Sequence, residues 1–239
     1  MSMRYKGGVI SATAPTTSTS AATGVWTLPQ QLQALVASNW PIPLAIGAAY
    51  QGGFFAGQID QSGTIYNLVV GPVASAQSAT LRKYKNLSTA TAGADSVIDG
   101  PQNTADIVAD GNSTVYPAAH FCNDLVIGGF SDWYLPAKNE LEVCYYNLKP
   151  DTTSNNTSSG TNTNAVPSRG SNYTAGTPAQ TSATNFKTTG TEDFALDYYW
   201  SSTENSTEKA WTQYFANGYQ YASSKDNSQR VRAIRRVAV

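Results

Sequence analysis

Ala210-Trp211-Thr212-Gln213-Tyr214-Phe215-Ala216, Asn217-Gly218 and Tyr219-Gln220-Tyr221-Ala222-Ser223-Ser224 follow one another near the end of this 239-residue chain. Asn-Gly between two such runs predicts a β-hairpin with a two-residue type I′ turn. That turn would set the register, with Ala216 opposite Tyr219, Tyr214 opposite Tyr221 and Thr212 opposite Ser223. Side chains alternate along strands. Thr212, Tyr214, Ala216, Tyr219, Tyr221 and Ser223 therefore share one face, and Trp211, Gln213, Phe215, Gln220 and Ala222 share the other. The second face carries the large apolar anchors and is expected to pack inward. The first mixes rigid aromatic contact area with small adaptable polar groups, the composition of a binding surface. The bland alternative is an amphipathic hairpin whose tyrosines are cross-strand pairs.

Outward from the hairpin, Tyr199-Trp200-Ser201-Ser202-Thr203-Glu204 precedes it and a last strand, Gln229 to Val239, follows it. That strand interleaves Arg230, Arg232, Arg235 and Arg236 with Val231, Ala233, Ile234 and Val237. The arginines are expected to make structural ion pairs, with Glu140 or Glu204 paired to Arg232 or Arg235. Further upstream, Gly128-Gly129-Phe130-Ser131-Asp132-Trp133-Tyr134-Leu135-Pro136 feeds a helix that Pro150 ends. Leu141, Cys144, Tyr145 and Leu148 mark its buried face. Short helices are expected at Thr104–Asp110 and Pro117–Leu125, and strands at Gly52–Ile59 and Thr64–Val70 around the turn Asp60-Gln61-Ser62-Gly63. Residues 151–191 contain 24 Ser, Thr or Asn and only three charged side chains. This is a long excursion. Val166, Tyr173, Pro178 and Phe186 are spaced along it as anchors, which predicts an ordered, irregular loop.

Before the globular region, residues 1–24 read as an extended arm. A short helix follows, capped by Thr27 with Pro29 and Gln30 and striped by Leu28, Leu32, Leu35 and Val36. It is expected to pack either on its own domain or on symmetry mates or a larger particle. The domain boundaries are 1–45 and 46–239.

Composition excludes several functions. Charged residues are 13% of the chain, about half the usual ~25%. Ser and Thr number 51 and Asn 17, and the net charge is −1. No basic field exists to hold nucleic acid. One histidine, His120, and two cysteines, Cys122 and Cys144, cannot build a Cys₄ or Cys₂His₂ zinc site or a disulfide framework. Neither a signal-peptide h-region nor an apolar run of membrane length is legible, so no secretion and no membrane insertion are expected. No nucleophile–base pair is legible, so an enzyme is not expected.

The motifs 128–136 with Glu140-Leu141, then 199–204, then Ala210-Trp211 with Phe215, Gly218, Gln220 and Lys225, then 230–237, resemble in their order one known family. It is the C-type-lectin-like domain of tailed-phage receptor-binding proteins, of the tips of collagen-like bacterial adhesins, and of variable proteins diversified by retroelements. The likeness spans residues 46–239. Gly7-Gly8-Val9-Ile10-Ser11-Ala12-Thr13-Ala14-Pro15 and Gly24-Val25-Trp26-Thr27-Leu28 resemble the N-terminal segment of phage virion proteins.

The resemblance implies an α+β, C-type-lectin-like fold of short twisted antiparallel sheets, two main helices and long irregular loops, with the first and last strands paired. It implies ligand binding without catalysis. In diversified members unfaithful copying of template adenines turns AAC codons into NNC codons. Asn205, Ser206, Thr207, Thr212, Tyr214, Ala216, Tyr219, Tyr221, Ala222, Ser223, Ser224, Asp226, Asn227 and Ser228 are reachable that way. Trp211, Gln213, Gln220 and Lys225 are not, and match the family's scaffold, as do Trp133, Glu140, Trp200, Phe215, Gly218, Arg232 and Arg235. The acidic cluster of calcium-dependent lectins is not evident, so no metal and no cofactor are expected. The formylglycine-generating enzymes share a related fold but need a reactive cysteine pair. Cys122 and Cys144 are read instead as small buried apolar residues. The implied function is a virion receptor-binding or adhesin protein. It would bind a host-surface protein or glycan through the fourteen reachable residues, and attach to other virion proteins, as a homotrimer, through its arm. The alternatives, in order, are a capsid or tail decoration protein and a cell-surface adhesin.

Overall fold

The structure is a computed structural model that describes Thr27, Pro29 and residues 44–239. The arm, the first helix and their roles in attachment and trimerisation lie outside the described residues. The globular unit described is Ala45–Val239.

Alternating apolar residues build the first sheet. β1 (Ala49–Tyr50), β2 (Gly53–Gln61) and β3 (Thr64–Val70) are antiparallel neighbours. The β2–β3 turn is Ser62-Gly63 with positive φ at both residues, and Asp60 Oδ1 accepts the Gly63 N–H at 2.7 Å. A bulge between Phe55 and Gly57 bends β2 over the main helix. There Asn147 donates to the Ala56 carbonyl at 2.8 Å, and any Cβ on Gly57 would collide with the Asn147 amide. The strand Arg82–Lys83 (β4) is followed by the helices Gly100–Asp110 (α1), Pro117–Asn123 (α2) and Lys138–Leu148 (α3). The short strand Ala165–Val166 (β5) pairs with β2. Then come β6 (Tyr198–Glu204), β7 (Lys209–Tyr214), β8 (Gln220–Ser224), β9 (Ser228–Gln229) and β10 (Ile234–Ala238). β10 pairs along β3 and not, as the resemblance implied, along the first strand, yet the end of the domain is still stitched into its opening sheet. β6, β7 and β8 form a second sheet, and β4 pairs with β9. This is the α+β lectin-like architecture that the motif order implied.

Two apolar clusters hold the sheets together. Leu141, Cys144, Tyr145 and Leu148 of α3 are buried against Ala56, Ile59, Leu68, Val70 and Ile234, as their spacing predicted. Val69, Ile107, Tyr116, Trp133, Trp200 and Val231 form the second cluster. Cys122 and Cys144 are buried without a disulfide, and His120 Nε2 lies 2.7 Å from the Gly111 carbonyl oxygen.

The excursion 151–191 is irregular yet pinned. Tyr173, Pro178 and Phe186 are buried, and Val166 is half-buried. Asn155 donates to the Thr174 and Pro178 carbonyls at 3.1 and 2.8 Å, and Tyr145 donates to its Oδ1 at 2.6 Å.

The ion pairs are not the ones expected from sequence. Arg232 pairs with Glu192 at 3.0 Å, and Arg235 pairs with Asp132 at 2.7 Å. Glu204 pairs with Lys225 at 3.0 Å. The strand reaches α3 through Arg236 instead, 3.9 Å from Glu140. The reason is geometric: Arg232 lies between the strand and the chain preceding β6, where it also donates to the Gly71 and Glu192 carbonyls, both at 2.9 Å.

Glu140 is fully buried. It accepts the Tyr134 hydroxyl and the Ala137 N–H, both at 2.8 Å. Burial outweighs these bonds and the Arg236 charge, raising its carboxyl from 4.5 to about 7. The folded state therefore holds a proton that the unfolded chain has lost. Glu140 contributes stability that is fully present below pH ~4.5 and lost as pH rises through about 7. Glu140→Gln keeps the acceptor and removes the titration. Thermal melts from pH 5 to pH 8 should show the melting temperature of the variant, relative to the native chain, rising with pH. A constant difference would contradict the assignment.

Candidate ligand-binding surface

The hairpin forms, but Phe215 changes its turn. Tyr214 donates its N–H to the Tyr219 carbonyl at 2.9 Å, and Gly218 donates to the Tyr214 carbonyl at 2.7 Å. Thr212 is opposite Tyr221 and Ala210 opposite Ser223. The loop thus has four residues, Phe215 to Gly218, and the expected two-residue register is off by two. Phe215 is buried, stacked on Phe194 at 4.0 Å and edge-on to Tyr199 and Tyr145 at 4.9 and 5.6 Å. Burying a Phe is worth about 2–3 kcal/mol, enough to draw the chain out of the ladder one pair early. Gly218 takes φ +77°, and a Cβ there would collide with the Tyr145 ring. A shift of two preserves which strand residues share a face. Ala216, however, leaves the ladder.

Tertiary packing divides that face. β6 continues it, with Tyr198 opposite Tyr214 and Trp200 opposite Thr212. At the Trp200 end it is covered. Trp200 and Ala210 are core residues, and Thr212 and Ser223 are each only 2% exposed. Thr212 Oγ1 donates to the Tyr221 carbonyl at 2.9 Å, and Ser223 Oγ accepts from Asn227 and Gln229 at 3.0 and 3.3 Å. Thr212 and Ser223 are therefore framework residues, which corrects their place in the expected surface. The other end is open. Tyr198 and Tyr214 stack at 4.4 Å, Tyr219 and Tyr221 at 6.0 Å, and Tyr221 is 44% exposed. Burial and then the adjoining hydroxyls of Tyr214, Tyr219 and Tyr221 raise the Tyr198 phenol above its ordinary range. Tyr198 was missed from sequence because it precedes the hairpin. Its alternation with buried Tyr199 was the available signal.

The opposite face is covered at Gln213 and Phe215, whereas Trp211, Gln220 and Ala222 are half-buried. Lys138 Nζ stands 4.0 Å over the Trp211 ring. Trp133, Glu140, Trp200, Phe215, Gly218, Arg232 and Arg235 are all buried.

A second exposed group forms at the far end of the hairpin. Asn205, Ser206, Thr207, Asp226, Asn227 and Ser228 are exposed, and Ser224 is half-buried. Lys225, fully buried, joins the two loops. Its Nζ donates to the Thr207 and Thr89 carbonyls, both at 2.8 Å, and pairs with Glu204. Its backbone N–H donates to Glu208 at 2.9 Å. Glu204 also accepts the Thr91 N–H at 2.8 Å. Burial lowers the Lys225 ammonium, opposed by its bond to Glu204. The loop 205–208 is closed by backbone bonds, Asn205 and Ser206 N–H to the Lys209 carbonyl at 2.9 and 3.0 Å. The shape of this end thus rests mainly on Lys225, Glu204 and backbone groups. A hydrogen bond from the Ser224 hydroxyl holds the Asp226 carboxyl below its ordinary value.

The family model described as the Lcl C-terminal domain matches residues 90–235. The chain belongs to that family. The match covers the excursion, the hairpin and the start of β10, so this Lcl C-terminal domain has the C-type-lectin-like fold described above. No curated protein matches the chain. Among the described residues no group of three or more His, Cys, Asp or Glu could hold a metal ion, and no helix is long and apolar enough to cross a membrane.

Lys225→Met removes the clamp and leaves Glu204 with an unpaired charge. It should cost about 3–5 kcal/mol in denaturant unfolding. Hydrogen exchange should speed up first at residues 205–209 and 225–228. A loss under 1 kcal/mol would show that the loops do not depend on it.

Proposed function

We propose that this Lcl C-terminal domain is the binding end of a phage virion protein. Its tyrosine end and the two stapled loops would contact a host-surface protein or glycan. The observation that carries this reading is the division of residues at the hairpin. Of the fourteen residues that adenine-directed variation can reach, all but Thr212 and Ser223 are exposed or half-buried. Lys225 and Gln213, out of its reach, are buried and hydrogen-bonded to loop carbonyls. A surface with that division tolerates replacement of its contact residues while its framework stands. Retroelement-driven diversification would exploit that tolerance.

Four neighbouring tyrosines supply rigid amphipathic area of the kind that dominates binding hot spots. The low charge of the chain leaves the surface uncommitted to one sign of ligand. Attachment through residues 1–45, in a homotrimer, would convert modest affinity per domain into avidity. No catalytic step, metal or cofactor is part of this function.

The test is Tyr214→Ala, Tyr219→Ala and Tyr221→Ala combined, read by adsorption of virions to host cells. Adsorption should fall at least tenfold with the melting temperature nearly unchanged. Unchanged adsorption by a folded variant would favour a decoration protein that fastens or covers the particle.

A further inference from the structure

The excursion 151–191 and helix α3 line an open cleft of about 310 Å³ that contains none of the fourteen variable positions. That volume lies at the lower end of the range of small-molecule sites, which are concave, partly aromatic and furnished with a few polar groups. Tyr146 and Tyr173 line it, with ring centroids 6.4 Å apart and a 35° tilt. The Arg169 guanidinium lies over the Tyr146 ring at 3.9 Å. Polar groups converge from the rim. The Thr161 hydroxyl donates to Asn172 Oδ1 at 2.7 Å, which leaves the Asn172 amide N–H groups as donors. Among the described residues the Ser171 and Thr177 hydroxyls find no hydrogen-bond partner.

The electrostatics select the ligand. Arg169 is ion-paired with Glu142, which is buried and also accepts from the Tyr173 hydroxyl at 2.7 Å and the Asn162 amide at 2.6 Å. Among the described residues that line the cleft, an anion would find Arg169 already neutralised, and a cation would find no carboxylate. What remains is aromatic surface beside hydroxyl and amide groups. The walls are set before any ligand arrives. Asn162 and Arg169 exchange backbone bonds at 2.8 and 2.9 Å, and Tyr173 N–H donates to Ser159 at 2.8 Å. Preformed walls reduce the entropy that binding must offset.

We propose that this pocket is a second ligand site, separate from the variable surface, and that it takes an uncharged saccharide ring. The sugar's C–H face lies against the half-buried Tyr146, with the buried Tyr173 beneath, and its hydroxyls pair with Asn172, Ser171 and Thr177. Tyr173 also packs against Gly218 of the hairpin turn, and Asn156 N–H donates to the Asn217 carbonyl at 2.8 Å. Pocket and hairpin therefore share a wall. A glycan held in the pocket raises the effective concentration of the host surface for whatever residues the hairpin carries. The pocket supplies a fixed foothold while the hairpin varies.

Saturation-transfer NMR on the full chain tests this with methyl glycosides of glucose, galactose, mannose and N-acetylglucosamine, beside sulfated and glucuronic acid counterparts. Gly170 lines the cavity, and a Cβ on it would meet nothing within 4 Å. Gly170→Phe should plug the site and abolish transfer without lowering the melting temperature. Asn172→Ala, at an exposed side chain, should weaken binding about tenfold, the loss of one hydrogen bond. It keeps the test standing if the plugged variant does not fold. The triple tyrosine variant of the hairpin should bind the glycoside like the native chain. The proposal is overturned if no neutral glycoside binds, if only the charged ones do, or if binding survives Gly170→Phe. It is also overturned if the hairpin variant loses binding. Each of these outcomes leaves the adsorption experiment free to succeed or fail separately.

Discussion

Carbonyl groups that no strand or helix can pair set the terms of this fold. A buried backbone acceptor must find a donor, and long irregular loops cannot supply enough N–H groups of their own. The chain meets this with a handful of buried cations. Lys85 donates to the Thr89 and Ala90 carbonyls, Lys149 to those of Thr153 and Pro178, and Lys225 to those of Thr89 and Thr207. Arg232 donates to Gly71, Glu192 and Asp193, and Arg235 to Gln51. An ammonium has three donors and a guanidinium five, so one side chain closes several loops at once. The cost of burying the charge is offset by these bonds and, for Lys85, Lys225, Arg232 and Arg235, by a carboxylate partner. A chain with so few charged residues spends many of them inside.

That arrangement separates shape from surface. The loops 205–208 and 225–228 owe their path largely to Lys225, Glu204 and backbone bonds, and the tyrosine end rests on a ladder anchored by Phe215 and Trp200. Exposed side chains at these places carry little of the stability. Binding chemistry can therefore change without the fold being renegotiated, the physical requirement for a variable recognition surface. The excursion adds an ordered wall whose own cavity does not depend on the hairpin's side chains.

Much of this was legible in the sequence, for identifiable reasons. The helix 138–148 followed from Leu141, Cys144, Tyr145 and Leu148, because helical spacing reports burial directly. Alternation assigned Tyr214, Tyr219 and Tyr221 to one face, and the true register, displaced by two, left that face intact. The illegible parts were the long-range ones. Asn-Gly signalled a two-residue turn, but Phe215 found Phe194, Tyr199 and Tyr145, which come from distant segments. The arginines of the last strand were recognisable as structural, whereas their partners Glu192, Asp132 and Asp99 were not. Nothing local distinguishes one acidic residue from another.

The sequence by itself determined the family, the order of elements, the face on which each strand residue lies, and which residues were too large or too apolar to remain outside. Those properties follow from periodicity and composition, which are local. Only the tertiary structure decided where that face stops being surface. Thr212 and Ser223 alternate in step with Tyr214 and Tyr221, yet they lie buried while the tyrosines stay open. What differs is the neighbour: the Trp200 and Ala210 end is sealed into the core by Tyr84 and Val231, brought from far upstream and from the segment between β9 and β10. A strand's pattern states which way a side chain points, and burial depends on what the rest of the chain places there.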